Sequence, residues 1–313
     1  MKILIAAVCL HAGLAGAAEQ ACSALPLSKT IPERVYGYIQ SPGAYCLGSD
    51  LRQEPAFDIH AGRALRVEAQ GLVKIVCSIP RPCSNLPDLY SYDIDLQGHT
   101  LASKSQNMKG VDNGSGGLHV SLHDGRIEVP GNNPSNVGID LRGAPKSPPG
   151  FMVNGEQCWP SQTMCEDIAA ARTDGQRGPE YLTSGYVVDR MQVRAGFRAV
   201  QMGGGGNVLR NSVIEVDSST AAFLYGPGAI IENNTIIIHG KGKHGDFDAA
   251  LKLRDAHGAI IRNNTFVYRG GLFAGARTAI NLLDSRDVRI EGNTFKGFEQ
   301  PVRVHGATTY TLK

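Results

Sequence analysis

Large rings are scarce in this sequence. One tryptophan, nine phenylalanines and ten tyrosines make up 6% of 313 residues, so the core must be built from smaller aliphatic side chains. Charge is scarce too, at 19%, with a formal net charge of +2 that becomes +1 if Lys2 is removed with a leader. That balance offers no field for nucleic acid or an anionic membrane surface. Beyond the N-terminus no segment reaches the roughly 18 apolar residues of a membrane helix. No CxxC occurs, and the glycines lack the three-residue period of collagen. What is abundant is glycine, 38 of 313 or about 12%, against a usual value of roughly 7%. With 42% hydrophobic residues the chain can bury a core, so it is not a disordered chain. Many glycines and few rings point to short strands separated by tight turns.

The N-terminus has the layout of a secretory signal peptide. Met1-Lys2 precedes the apolar run Ile3 to Leu10, and small residues follow up to Ala18. That run is too short to span a bilayer and ends in an A-x-A-like cleavage site. A signal peptide over 1–18 implies a secreted or periplasmic protein. Removing Cys9 leaves six cysteines, and an even number in an exported chain points to disulfides, with fifteen possible pairings. The local choice is Cys22–Cys46, Cys77–Cys83 and Cys158–Cys165. Zinc is the rival use, but His60 and His99 do not stand at ligand spacing.

Internal repetition decides the fold class. Four segments align: Val208 to Ile214, Ile231 to Ile237, Ile261 to Val267 and Ile290 to Lys296, sharing Asn211, Asn234, Asn264 and Asn293. The separations are 23, 30 and 29, and Asp189 fits one step earlier. Between them recurs a small–apolar–variable–apolar element. It reads Ala199-Val200-Gln201-Met202, Ala222-Phe223-Leu224-Tyr225, Ala250-Leu251-Lys252-Leu253 and Ala279-Ile280-Asn281-Leu282, with Gly138 to Leu141 before and Pro301 to Val304 after. Alternation of period two makes each a short strand with one buried face. No unit can bury that face alone, so units stack. A unit of about 22 residues without helical periodicity or the leucine-rich consensus describes an all-β parallel solenoid. Asparagine tolerates left-handed backbone, and its amide can bond the next amide, forming a ladder inside a turn. Asn233-Asn234-Thr235 and Asn263-Asn264-Thr265 also read formally as glycosylation sequons; the ladder explains the period.

The Ile-x-Asn-Asn-Thr-Phe units resemble the repeats of right-handed parallel β-helix proteins, the pectate-lyase-like superfamily. Ser41 to Leu47, followed by Asp93-Ile94-Asp95-Leu96-Gln97-Gly98-His99-Thr100-Leu101, is similar to the opening of many exported bacterial members. The resemblance covers roughly 38–306. It implies a right-handed β-helix, and for function no more than a class that includes lyases, hydrolases, epimerases, adhesins and accessory proteins. Its catalytic signatures do not carry over. The polygalacturonase set is missing, with Leu251-Lys252-Leu253-Arg254 only faintly like its Arg-Ile-Lys element. The Trp-Ile-Asp-His of pectate lyases is absent, since Trp159 stands alone.

The expected organisation is an N-terminal cap over 19–57 and a β-helix over 58–313, interrupted by a long insertion at 143–186. Outward side chains of a solenoid form columns. One column is expected to hold Asp140, Gln201, Leu224, Lys252, Asn281 and Arg303. A second, two residues on, holds Arg142, Gly203, Gly226, Arg254, Leu283 and His305. Together they describe a polar groove suited to an extended acidic polysaccharide, with Gln201, Asn281, Arg303, Asp140 and Arg142 binding substrate. Lys252, Arg254, His244 and His305 are the candidates for β-elimination or C5 epimerisation of a uronic acid polymer. That chemistry needs a carboxylate clamp and a base for the acidic C5 proton. Asp246 and Asp248, two apart, suit either an inverting carboxylate pair or a calcium site. Calcium is the one cofactor the residues suggest. The competing reading is a non-catalytic cell-envelope or carbohydrate-binding β-helix. The sequence leaves the oligomeric state open.

Overall fold

The computed structural model describes residues 22–31, 34–53, 57–58, 63–64, 70–75, 91–104, 108–113, 119–131, 136–141, 151–153, 156–158, 184–218, 220–240, 248–270 and 278–313. Among them the secondary structure is strand throughout, with no helix. Two large sheets carry the fold, one of sixteen strands and one of ten. The chain visits them in turn. Ala222–Tyr225 lies in the ten-strand sheet, Ile230–Glu232 and Thr235–Ile238 in the sixteen-strand sheet, and Leu251–Arg254 returns to the first. Each strand pairs in parallel with its counterpart one coil later, as Ile231 with Ile261 and Ile261 with Ile290. The result is a parallel β-helix.

The apolar alternation explains why these residues make strands. Val200, Ala222, Leu251 and Ile280 stack along one inward row, and Met202, Leu224, Leu253 and Leu282 along the next. All eight are essentially inaccessible to solvent. Each such aliphatic side chain contributes about 1.5–3 kcal/mol on burial. Rings appear where the bore allows them, as in the stacked pair Phe266–Phe295, with centroids 5.3 Å apart.

The turn between the two strand sets of the sixteen-strand sheet is a single residue in left-handed backbone. Arg190 (φ 50°), Asn211 (52°), Asn233 (57°), Asn263 (56°) and Gly292 (64°) occupy it in successive coils. Asparagine and glycine adopt this region at low steric cost. The buried amide ladder runs through the next residue: Asn234, Asn264 and Asn293, with Ser212 taking the place in the earlier coil. The structure thus corrects the alignment of Asn211, which belongs with Asn233 and Asn263 outside the ladder. The true coil lengths are 22, 30 and 29, from Leu209 to Ile231, Ile261 and Ile290.

Most of the added length falls at one corner. From Val216 to Ala222 the chain needs five residues between strands, whereas Ile238 to Leu251 and Tyr268 to Thr278 enclose twelve and nine. All three connections lead into the ten-strand sheet. At the N-terminal end, Arg34–Ile39, Gly43–Cys46 and Leu51–Gln53 already pair in parallel with the next coil, so a full coil lies inside the stretch expected as a cap. Cys22 and Cys46 form a disulfide there. The leader at 1–18, Cys77, Cys83, Cys165 and most of the 143–186 insertion fall outside the described residues, as does the side chain of Cys158.

Candidate functional site

The outward face of the ten-strand sheet collects the residues that the sequence nominated. Its register sets Asp112, Asp140, Gln201, Phe223, Lys252, Asn281 and Arg303 in one column. Gly203, Tyr225, Arg254, Leu283 and His305 form the second. The expected columns therefore assemble with one correction in each. Phe223 stands where Leu224 was placed, and Tyr225 where Gly226 was. Leu224 points into the bore, 1% exposed, between Met202 and Leu253. Arg142, His244 and Asp246 lie outside the described residues. Asp248 is half-buried, and its Oδ1 accepts from the Thr220 hydroxyl at 3.4 Å.

Outward side chains of a solenoid are ordinarily solvated, but most of those on this face are buried. Asp140 is 3% exposed, Gln201 2%, Lys252 1%, Arg254 2%, and Phe223 and Asn281 0%. Burying an ion outside the aliphatic bore is costly unless it is paired or lies against polarisable groups. Phe223 supplies one such group. The Arg198 guanidinium carbon lies 5.1 Å from its ring centroid and Lys252 Nζ 5.6 Å, both within cation–π range. Tyr225 packs against the same ring at 5.4 Å. A Cβ on Gly203 would lie 2.3 Å from the Tyr225 ring, so the glycine makes room for it. At the acidic end, Lys109 Nζ donates to Asp140 Oδ2 (2.7 Å) and Asp112 Oδ1 (2.9 Å). Burial pulls its pKa down, but the two carboxylates outweigh burial and hold it above the ordinary lysine value. Gln201 stands between these acids and Phe223, and its buried Nε2 finds no hydrogen-bond acceptor.

This face is chemically graded, from carboxylates through an amide and an aromatic platform to the cations of Lys252, Arg254 and, half-buried, Arg303. Adjacent strands stand about 4.8 Å apart, so the gradient follows the solenoid axis. Phe223 and Tyr225 escaped the sequence reading because Ala221 and Ala222 fit the small position equally well.

A second polar cluster lies where the sixteen-strand sheet turns. Asp95, His123, Asp189, Arg210, Glu232, Arg262 and Glu291 share one column of successive coils. Arg210 bonds Asp189 at 3.0 Å and Arg262 bonds Glu232 at 2.5 Å. His123 faces Asp93 through Nε2 (3.0 Å) and Asp124 through Nδ1 (2.7 Å). Arg190 holds both oxygens of Asp124, from Nε at 2.6 Å and NH2 at 2.5 Å. Asp95, His123 and Asp124 come close enough to share an ion, but the guanidinium already occupies both Asp124 oxygens. The cluster reads as an ion network. The alternation Asp93-Ile94-Asp95-Leu96, which sets both aspartates on one face of a strand, was its signal in the sequence.

Parallel coils, a buried amide ladder and an outward face of stacked side-chain columns define a parallel β-solenoid. A family model described as right handed beta helix region matches residues 182–311. The fold is a right-handed parallel β-helix. No curated protein matches it significantly, and neither does any solved structure. Among the described residues no helix is long and apolar enough to cross a membrane.

Proposed function

We propose that this is an exported β-helix protein acting on an acidic polysaccharide through the outward face of its ten-strand sheet. The observation that carries the reading is the concentration of Lys252, Arg254 and Arg303 with Gln201, Asn281, Phe223 and Tyr225 on two adjacent columns. Cations neutralise uronate carboxylates, amides bond hydroxyls, and rings offer apolar area to sugar faces. The unpartnered Gln201 Nε2 suits a ligand oxygen.

The chemistry that fits is β-elimination, or C5 epimerisation through the same first step. Arg254 holds the uronate carboxylate and makes the C5 proton more acidic. Lys252 Nζ takes that proton. The C5–H electron pair forms the C4=C5 double bond, the C4–O bond breaks, and the Tyr225 hydroxyl protonates the departing oxygen. His305 sits two strands from Arg254, roughly 9.6 Å, and serves a neighbouring sugar. Epimerisation replaces bond breaking by reprotonation of C5 from the opposite face.

The depth of burial favours a second reading. Phe223, Lys252 and Asn281 are at most 1% exposed, which also suits a binding or structural β-helix whose cations brace the face without turnover. Ultraviolet absorbance of unsaturated uronate products separates the two, on a panel of pectate, alginate, hyaluronan and heparan chains. Elimination predicts a rising signal with wild type and none with Lys252→Ala. A silent wild type, or an active Lys252→Ala, overturns elimination; epimerisation forms no double bond and is read instead by exchange of the C5 proton with deuterium from solvent, whose absence overturns it.

A further inference from the structure

Two surface depressions on the sixteen-strand sheet are joined through Arg126 and Gln192, which line both. The larger has a volume of about 580 Å³ and the smaller about 200 Å³. The larger is within the range of small-ligand sites. Their floor is a register column, Thr100–Arg126–Gln192–Val213. Three strand spacings make it about 14 Å long, close to three linked pyranose rings.

Gly98 and Gly125 line the larger depression beside this column. Gly98 adopts φ +78°, and Gly125 packs against the buried Leu96, where a Cβ would fall 2.2 Å from Leu96 Cβ. One wall is the clamped pair Arg190–Asp124, with side chains 52% and 37% exposed. The other is Asp50, which accepts from the Thr100 N–H and from Arg52, both at 2.9 Å. The acids are thus engaged internally. On the floor, Arg126 NH2 donates to Gln192 Oε1 at 2.8 Å, which fixes two planar polar groups side by side. Arg126 NH1 also lies 3.6 Å from Glu128 Oε1, and the remaining N–H groups of the guanidinium and the Gln192 amide are the donors for a ligand.

We infer that this groove binds an uncharged, hydroxyl-rich glycan segment lying along the solenoid axis. Alternating donors and acceptors of both signs match sugar hydroxyls, each of which donates and accepts. Near-balanced charge gives no preference for a polyanion. The groove belongs to a different sheet from the Lys252 face, so the two sites stand or fall separately.

The test is isothermal titration calorimetry with neutral hexa-oligosaccharides (cello-, xylo-, manno- and galacto-series) and with oligogalacturonate. Wild type is expected to bind a neutral series. Gln192→Ala and Arg126→Ala are each expected to weaken that binding about tenfold, with unchanged melting temperature because both side chains lie on the surface. Lys252→Ala should leave it unaltered, and raising salt from about 0.05 to 0.5 M should change it less than about twofold. Three results overturn the inference: no neutral series binds, both surface variants bind like wild type, or only oligogalacturonate binds and salt abolishes it.

Discussion

Asn234 and Asn264 meet inside the turn of the β-helix. The Asn234 backbone N–H and its Nδ2 both donate to Oδ1 of Asn264, at 3.0 and 2.9 Å. Asn264 repeats the gesture toward Asn293, at 2.9 and 3.0 Å. Each amide also caps a carbonyl of the coil before, and those of Asn264 and Asn293 cap one of their own turn as well, as Asn264 Nδ2 does for Ile231 and Arg262.

Asn264→Ala should therefore cost about 3 kcal/mol or more, because it strands buried donors and acceptors on both neighbouring coils. Asn263→Gly, one residue away in left-handed backbone (φ 56°), should be close to neutral. Urea midpoints at constant m-value check the contrast. Equal losses from both variants would contradict the ladder assignment.

Gly203→Ala places a methyl against the Tyr225 ring. The ring must move, at a cost of about 1–3 kcal/mol, and the platform it shares with Phe223 is disturbed. The expected outcome is a lower melting temperature together with weaker binding of acidic oligosaccharide at the Lys252 face. Both are read in one thermal-shift titration.

Two groups of the corner network titrate in opposite senses. Arg190 is the main cause holding Asp124 down to about 2 from its ordinary 3.8. Its stabilisation is present above 3.8 and lost as pH falls toward 2. Burial lowers His123, but Asp124, Asp93 and Asp95 outweigh it and raise its pKa above 6.5. That contribution is complete below 6.5 and fades as pH rises through the folded value. Partial exposure keeps both effects small. Melts between pH 2 and 9 should show His123→Gln losing stability relative to wild type at pH 5 and converging with it at pH 9. A constant gap across that range would refute the assignment.

The Cys22–Cys46 bridge closes a loop with a sequence separation of 24. Constraint of the unfolded chain makes it worth about 3 kcal/mol. Cys46→Ser should lower the melting midpoint of the oxidised protein, and dithiothreitol should lower wild type further than it lowers the variant. An unchanged midpoint on reduction would show that the first coil unfolds apart from the rest.

The repeat, the strand alternation and the two outward columns were legible because a solenoid reuses one pattern at every coil. What the pattern could not give was register to the single residue. Ala221 and Ala222 both satisfy the small position, and only the bonds from Ala199 to Ala221 and from Ala221 to Ala250 choose between them. A slip of one residue exchanges the two faces of a strand, so the error hid Phe223 and Tyr225. The doublets Asn233-Asn234 and Asn263-Asn264 produced the same ambiguity at the turn, where Asn211 matched the wrong member. Burial of Lys252 and Arg254 was not legible at all, since alternation says which way a side chain points and not what lies above it.

Coil length varies mostly at one corner while the pairing of Ala222 with Leu251 and of Leu251 with Ile280 stays in step. The floor of the Lys252 face and the connections that lead into it are therefore separable inheritances. A connection between Ile238 and Leu251, or between Tyr268 and Thr278, can lengthen, shorten or be exchanged without shifting a floor residue to another column. New specificities can then arise by grafting connections onto a constant floor, and whole coils can be duplicated without breaking the columns.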